Sequence, residues 1–371
     1  MASEMLYPIM PIYLQQIGFS ILLIGILEGF AEAIAGLSKG YFGKRSDHAG
    51  KRVPFVQVGY ALSAISKPMM ALFIYPLWIF FARTVDRIGK GIRTGARDAL
   101  LSDQATAENK GMIFGFHRSM DTLGAVIGPL LALIFLYFNP EQYKTLFFIA
   151  FIPGVIAILA TRLLKDDPKR QKKETKSLPF FSFLNYWKEG PVAYRKLLIG
   201  LLGFALINSS DVFLLLKAKE AGLDDTWVIG IYIFYNLVYA IFAFPFGILA
   251  DKFGLKKMFL LGLSAFSAVY LGMAFGSGLY LIAACFFVYG IYAAATEGIS
   301  KAWISRISAK EDTATAIGTY SAFQSIAALI ASSLAGFIWF TWGAYWVFLF
   351  SGIGALIIAI YLLSNVKELK G

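Results

Sequence analysis

A disulfide framework is ruled out in this chain, because Cys285 is its single cysteine and lies in an apolar stretch. Histidine is nearly as scarce: His48 and His117 stand far apart with no clustered thiols or carboxylates around them, which argues against a transition-metal site. Charged residues make up 15% of the chain against 58% hydrophobic ones, and the mean hydropathy is +0.66. So little polar surface cannot coat the apolar mass of 371 residues in water, which excludes an ordinary soluble globule. A G-x-x-x-x-G-K-[ST] phosphate loop is missing, and with it the case for an ATP-driven pump. No activated nucleophile or paired metal motif supports an enzyme, and no cofactor is implied.

What the chain does have is long apolar runs. A helix needs roughly 20 residues to cross a hydrocarbon layer of about 30 Å. Such runs lie near 20–42, 53–75, 77–95, 111–137, 144–164, 197–216, 227–249, 258–276, 278–300, 315–339 and 343–364, with a fragment at the start. The net charge of +11 is distributed over alternate connections rather than along a face that tracks phosphates, so nucleic acid is not an expected partner. Lys44, Arg45, Lys51 and Arg52 share one connection, residues 165–196 form a basic linker, and Lys252, Lys256 and Lys257 share another. By the positive-inside rule these connections and both termini are expected in the cytoplasm, with the chain in a plasma (inner) membrane and in contact with its lipids.

One signature occurs twice. Gly43 to Arg52 reads G-K-R-S-D-H-A-G-K-R and Gly247 to Lys257 reads G-I-L-A-D-K-F-G-L-K-K, each where one apolar run ends and the next begins. Gly43, Asp47 and Gly50 correspond to Gly247, Asp251 and Gly254 at a constant offset, so the chain reads as a duplicated unit. Residues 1–165 and 196–371 are then two six-helix bundles joined by a polar linker, 166–195. The linker's F-F-S-F-L-N-Y-W run is expected on the membrane surface with its aromatics at headgroup depth. Aligning the halves on Asp211 and Glu4 leaves the first helix about half a span long, so a longer natural N-terminus is expected.

The doubled signature, the halves and the span count resemble the major facilitator superfamily over essentially the whole chain. That resemblance implies an all-α membrane fold of two six-helix bundles related by pseudo-twofold symmetry, working as a monomer. It also implies a cytoplasmic latch, in which Asp47 and Asp251 accept hydrogen bonds from a neighbouring helix terminus. In that latch Lys51, Arg52, Lys256 and Lys257 contact the facing helix, and His48 stands where the family usually has Arg. Arg83, Gly89 and Gly91 look like a second signature of the family. D-T-L-G-A-V-I-G-P, through Gly124, Gly128 and Pro129, is similar to the helix-packing motif of its drug/proton-antiporter branch, although L-L-A-L stands where a second glycine pair would follow.

Charges within the apolar runs are the candidate machinery, since each costs at least about 2.5–3.5 kcal/mol to insert without a partner, a wet cavity or a function. Glu28 and Glu32 share one helical face, and their counterparts in the second half are Tyr232 and Asn236. Arg83, Arg87 and Lys90 lie on successive turns, with Asp86 spaced to pair with Lys90. Glu4, Glu28, Glu32 and Asp121 are the expected facing acids. Asp211 anchors a polar N-S-S-D cluster, Glu297 is spaced to pair with Lys301, and Gln324 mirrors Asp121. A carboxylate alternately desolvated and exposed has the properties of a proton-coupling group, with Glu28, Glu32 and Glu4 leading and Arg83 as the competing cation.

The expected function is a secondary transporter that moves a small-molecule substrate by alternating access, coupled to protons. A facilitative uniporter or a membrane enzyme built on the buried acid/base cluster are the alternatives.

Overall fold

The computed structural model describes residues 2–6, 9–19, 21–106, 108–166, 179–223, 225–276 and 278–366, and these are helical almost throughout. In chain order the helices are α1 (Ala2–Leu6), α2 (Met10–Gln16), α3 (Ile21–Ala49), α4 (Val53–Leu72), α5 (Pro76–Asp103), α6 (Lys110–Phe138) and α7 (Tyr143–Thr161). After a 3-10 turn at Phe180–Asn185 come α8 (Tyr186–Glu189), α9 (Val192–Ile207), α10 (Val212–Glu220), α11 (Asp225–Phe253), α12 (Leu255–Phe275) and α13 (Leu279–Ile307). A second 3-10 turn, Lys310–Asp312, leads into α14 (Thr313–Trp342) and α15 (Ala344–Asn365). Helix is the form an apolar chain must take in lipid, where each backbone polar group needs a partner inside its own segment.

Eight stretches among the described residues are long and apolar enough to cross a bilayer. The expected spans on α3, α4 and α5 are not among them. Lys67 interrupts the apolar run of α4, and Arg83, Asp86, Arg87, Lys90 and Arg93 interrupt that of α5. The outside of the helices is apolar, as lipid demands: Leu77, Tyr280 and Phe340 are 85%, 90% and 89% exposed.

Contacts gather the chain into two compact units, residues 1–100, 124–189 and 309–325 in one and residues 101–123, 190–308 and 326–371 in the other. In the first, α1 packs on α7 and α4 on α7. Tyr13 lies edge-on to Phe147 at 5.0 Å and donates to the Met70 carbonyl. In the second, α12 packs on α13 and α15 around Phe266, which stacks on Tyr270 at 4.0 Å.

Three details differ from the reading of the sequence, and all bear on the site. The doubled signature is largely helical, with α3 running to Ala49 and α11 to Phe253; only Gly50 (φ 64°) and Gly254 (φ 106°) turn the chain, at angles that favour glycine. The run expected at 197–216 is broken at 208–211, between α9 and α10, where Asn, Ser, Ser and Asp all offer the backbone alternatives to helix. The linker aromatics do not all face headgroups. Phe183 and Tyr186 are buried in protein, and Phe183 fills the notch left by Gly40, where an added Cβ would come within 2.4 Å of its ring. Only Phe180 and Phe181 remain exposed.

Candidate functional site

In the first unit, α3, the turn after it and the opening of α14 build one polar cluster. Asp47 accepts from the Thr315 backbone N–H at 2.7 Å and the Thr315 hydroxyl at 2.8 Å, so its carboxylate caps the first turn of α14. Arg52 pairs with Asp47 at 3.1 Å and also donates to the Lys310 carbonyl at 3.0 Å. Both partners of the ion pair are wholly buried. Burial pushes the Asp47 carboxyl up to about 6, against the opposing pull of Arg52 and the Thr315 hydrogen bonds. Asp166 completes the arrangement by accepting from the backbone N–H groups of Arg52 and Val53, at 2.7 and 3.0 Å, and so caps α4. Gly43 lets α14 close in, because a Cβ there would sit 2.4 Å from the Ala314 carbonyl oxygen.

The second unit repeats the geometry with other residues. Asp251 accepts from the backbone N–H groups of Gly111 and Met112, at 2.7 and 2.6 Å, and caps the first turn of α6. A Cβ on Gly247 would lie 2.3 Å from the Gly111 carbonyl oxygen. The bases differ. Lys256 donates to the carbonyls of Leu363 and Val366 at the end of α15, at 2.8 and 2.6 Å, rather than joining Asp251. Lys51 is exposed.

Within the first unit, a cavity of about 210 Å³ is lined by Glu4, Lys67, Arg83, Asp86, Arg87, Lys90 and Arg93, with Ser3 and three apolar side chains. Five of the described lining residues are basic and two acidic. Lys67 is the residue that sequence reasoning missed. It projects from α4 and is fully buried, with its Nζ 2.7 Å from Asp86 and 3.1 Å from the Ser3 hydroxyl. A lone Lys before Pro68 in an apolar run was the available signal. The expected pairing of Asp86 with Lys90 is corrected by this contact, because Asp86 faces α4 and Lys67 reaches it first. Arg93 lies over the Tyr60 ring, 4.4 Å from its centroid. Glu28 and Glu32 belong to α3, but their side chains lie outside what the structure describes. Close backbone approach holds α4 against α5: a Cβ on Gly89 would lie 2.7 Å from the Gly59 carbonyl oxygen, and Gly91 abuts Ser38 of α3.

The second unit carries two further polar clusters. Arg118 of α6 pairs with Asp121 at 3.1 Å and with Glu297 of α13 at 3.5 Å, and donates to the Tyr239 hydroxyl of α11. Glu297 therefore reaches across to another helix, a contact that the expectation built on Lys301 overlooked. The Asp121 side chain is half exposed. At the α9–α10 break, Asp211 accepts from the Tyr235 hydroxyl, and Asn208 donates to the Tyr292 hydroxyl at 2.9 Å. Asn236 turns back to the Tyr232 carbonyl of its own helix at 2.9 Å, and Tyr232 packs edge-on to Tyr235. Gln324 is half-buried on α14. Gly124 and Gly128 lie on α6, which continues through Pro129 without ending. No group of His, Cys, Asp or Glu suited to holding a metal ion occurs among the described residues.

Comparison with known proteins follows the same lines. The chain is 32% identical over 345 residues, 91% of its own length and 85% of the relative's, to an uncharacterized MFS-type transporter of Methanocaldococcus jannaschii. Its fold is similar to that of the human organic anion transporter MFSD10 (TM-score 0.82, 16% identity, 97% and 95% of the two chains). It is also similar to that of the Escherichia coli fucose:proton symporter FucP (TM-score 0.78, 16% identity, 97% and 94%). The family model for the Major Facilitator Superfamily matches residues 1–235 and 218–370, so the chain is a multi-pass membrane protein that belongs to this superfamily of transporters, which is not a class of enzymes.

Proposed function

We propose that this chain is a secondary active carrier for a small organic solute of negative or mixed charge, moved by alternating access between its two sequence halves and coupled to protons. The observation that carries the reading is the cation-rich cavity around Lys67, Arg83 and Arg87, lined from α1, α2, α4 and α5. Holding several cations there is expensive unless carboxylates or an anionic ligand compensate them. A solute carboxylate or phosphate can take over part of that role from Asp86 and Glu4. Glu4, Glu28 and Glu32 are the proposed proton acceptors. On protonation of one of them a neighbouring cation is released to the solute, and on deprotonation it is recaptured.

Asp47 and Asp251, with Arg52, Lys51, Lys256 and Lys257, latch the cytoplasmic side in this scheme, with both termini on that side of an inner membrane. The names of the similar structures, an organic anion transporter and a fucose:proton symporter, are consistent with an anionic solute and with proton coupling.

Reconstituted vesicles test the reading. Saturable counterflow of a small organic acid is expected, with uptake raised by an inward proton gradient and lowered at least tenfold by Lys67→Met. Flux that ignores both the charge of the solute and Lys67 would refute the anion reading. Flux indifferent to the proton gradient would leave a facilitative uniporter.

A further inference from the structure

We infer that the break between α9 and α10 is a binding site for an organic ammonium group, centred on Asp211. It rests on the carrier reading for its place in transport, although the site itself is argued from different residues.

Asp211 is a carboxylate inside a membrane-crossing segment, Val192–Glu220. Its hydrogen-bond partners are the Tyr235 hydroxyl and the Ser210 hydroxyl at 3.4 Å, both neutral, and among the described residues no basic side chain forms an ion pair with it. An intramembrane anion held only by neutral donors calls for a cation from elsewhere.

The backbone adds to the negative potential. The C-terminus of α9 points its carbonyls into the break, and only Phe204 is capped, by Asn208 N–H. No hydrogen bond reaches the carbonyls of Ala205, Leu206 or Ile207 among the described residues. The opposing start of α10 is already satisfied. Its N–H groups at Phe213, Leu214 and Leu215 bond to Ser210 and Asp211 carbonyls, Val212 N–H reaches the Ser210 hydroxyl, and Ser210 N–H donates to Ser332. The acceptors at this break therefore outnumber the free donors. Asn208 contributes one more acceptor, a buried Oδ1 with no hydrogen-bond partner.

Aromatic rings supply the selectivity for an organic cation over a hydrated metal ion. Tyr235, Tyr289 and Tyr292 follow one another at centroid separations of 5.3 and 5.2 Å beside Asp211 and Asn208, and their faces attract ammonium groups. Bare sodium would prefer the carbonyls and carboxylate alone.

Thermal unfolding of the purified full chain gives the test, with choline chloride as probe. Sodium chloride at equal ionic strength and the uncharged tert-butyl isostere of choline serve as controls. Choline is expected to raise the unfolding midpoint saturably and the controls are not, because a ligand stabilises the state that binds it. Asp211→Asn should weaken the choline response about tenfold or more, which corresponds to ~1.4 kcal/mol. An equal response to sodium, an equal response to the isostere, or an unchanged response in Asp211→Asn would overturn the site. The controls on the unsubstituted protein decide the matter even if the variant does not fold. A parallel titration with succinate, with Lys67→Met as its variant, reads the cation-rich cavity separately. Loss of the choline response with succinate stabilisation intact would sink this inference alone, and the reverse would sink only the anion reading.

Discussion

The two copies of the turn signature do the same mechanical task with unequal chemistry. In each, an aspartate caps the first turn of a helix, α14 for Asp47 and α6 for Asp251, and a glycine brings the two backbones into near contact. The first copy adds a wholly buried ion pair with Arg52, whereas among the described residues Asp251 forms no ion pair and sits half-buried among backbone donors. The two copies therefore share what geometry requires, the close approach and the cap, and differ in their electrostatics. A cap needs only an acceptor at the right place, but a buried ion pair commits both partners to one arrangement.

Substitutions can break that comparison. Asp47→Ala is expected to cost about 3–5 kcal/mol in thermal or denaturant unfolding, because it removes one partner of a wholly buried ion pair. Gly43→Ala and Gly247→Ala should each cost about 1–3 kcal/mol, and nearly equally, since both would press a Cβ on a backbone oxygen. Inequality between them would show that the two approaches are not equivalent. Asp251→Ala should cost about 1–2 kcal/mol, the value of a cap without a buried ion pair. If it proved as severe as Asp47→Ala, the asymmetry drawn here would be wrong.

A pH titration sharpens the same contrast. The folded-state pKa of Asp47 is about 6, above its ordinary 3.8, so its stabilising contribution is complete below about 3.8 and is lost as pH rises through about 6. Between those values the unfolding midpoint should fall with rising pH less steeply in Asp47→Asn than in the unsubstituted protein. Identical slopes would remove Asp47 from the titration. The smallest effect, within about 0.5 kcal/mol, is expected for Lys256→Ala, a partly exposed lysine that donates to the Leu363 and Val366 carbonyls.

Much of this was legible from residue order. Gly43, Asp47 and Gly50 recur with their spacing intact, and that recurrence carried the two-part architecture, while the resemblance it supported implied the capping aspartates. The cations of α5 announced themselves because charge is so scarce in the apolar runs. Lys67 did not stand out within the apolar run near 53–75, since the partner of a single lysine shows only once α5 is placed against it. Helical spacing on a single helix favoured Asp86 with Lys90 and Glu297 with Lys301. Both carboxylates found partners on other helices, Lys67 and Arg118, and spacing along one helix cannot register such contacts. The linker aromatics were read by their amphipathic setting, and only the absent Cβ of Gly40 on a distant helix explains why Phe183 turns inward. The N-S-S-D run was recognised as polar, but its freed carbonyls belong to the backbone and leave no mark in composition.

The seating of Phe183 bears on how the chain would behave if it were cut. Within the first unit its ring lies in the α3 notch while its carbonyl accepts from Thr319 of α14, and Lys44 of α3 holds the neighbouring Ser182 carbonyl at 2.8 Å. A polypeptide beginning at Pro179 would thus carry its own plug for the fragment that ends at Asp166. Expressed separately, the two pieces should reassociate and purify together without a covalent tether.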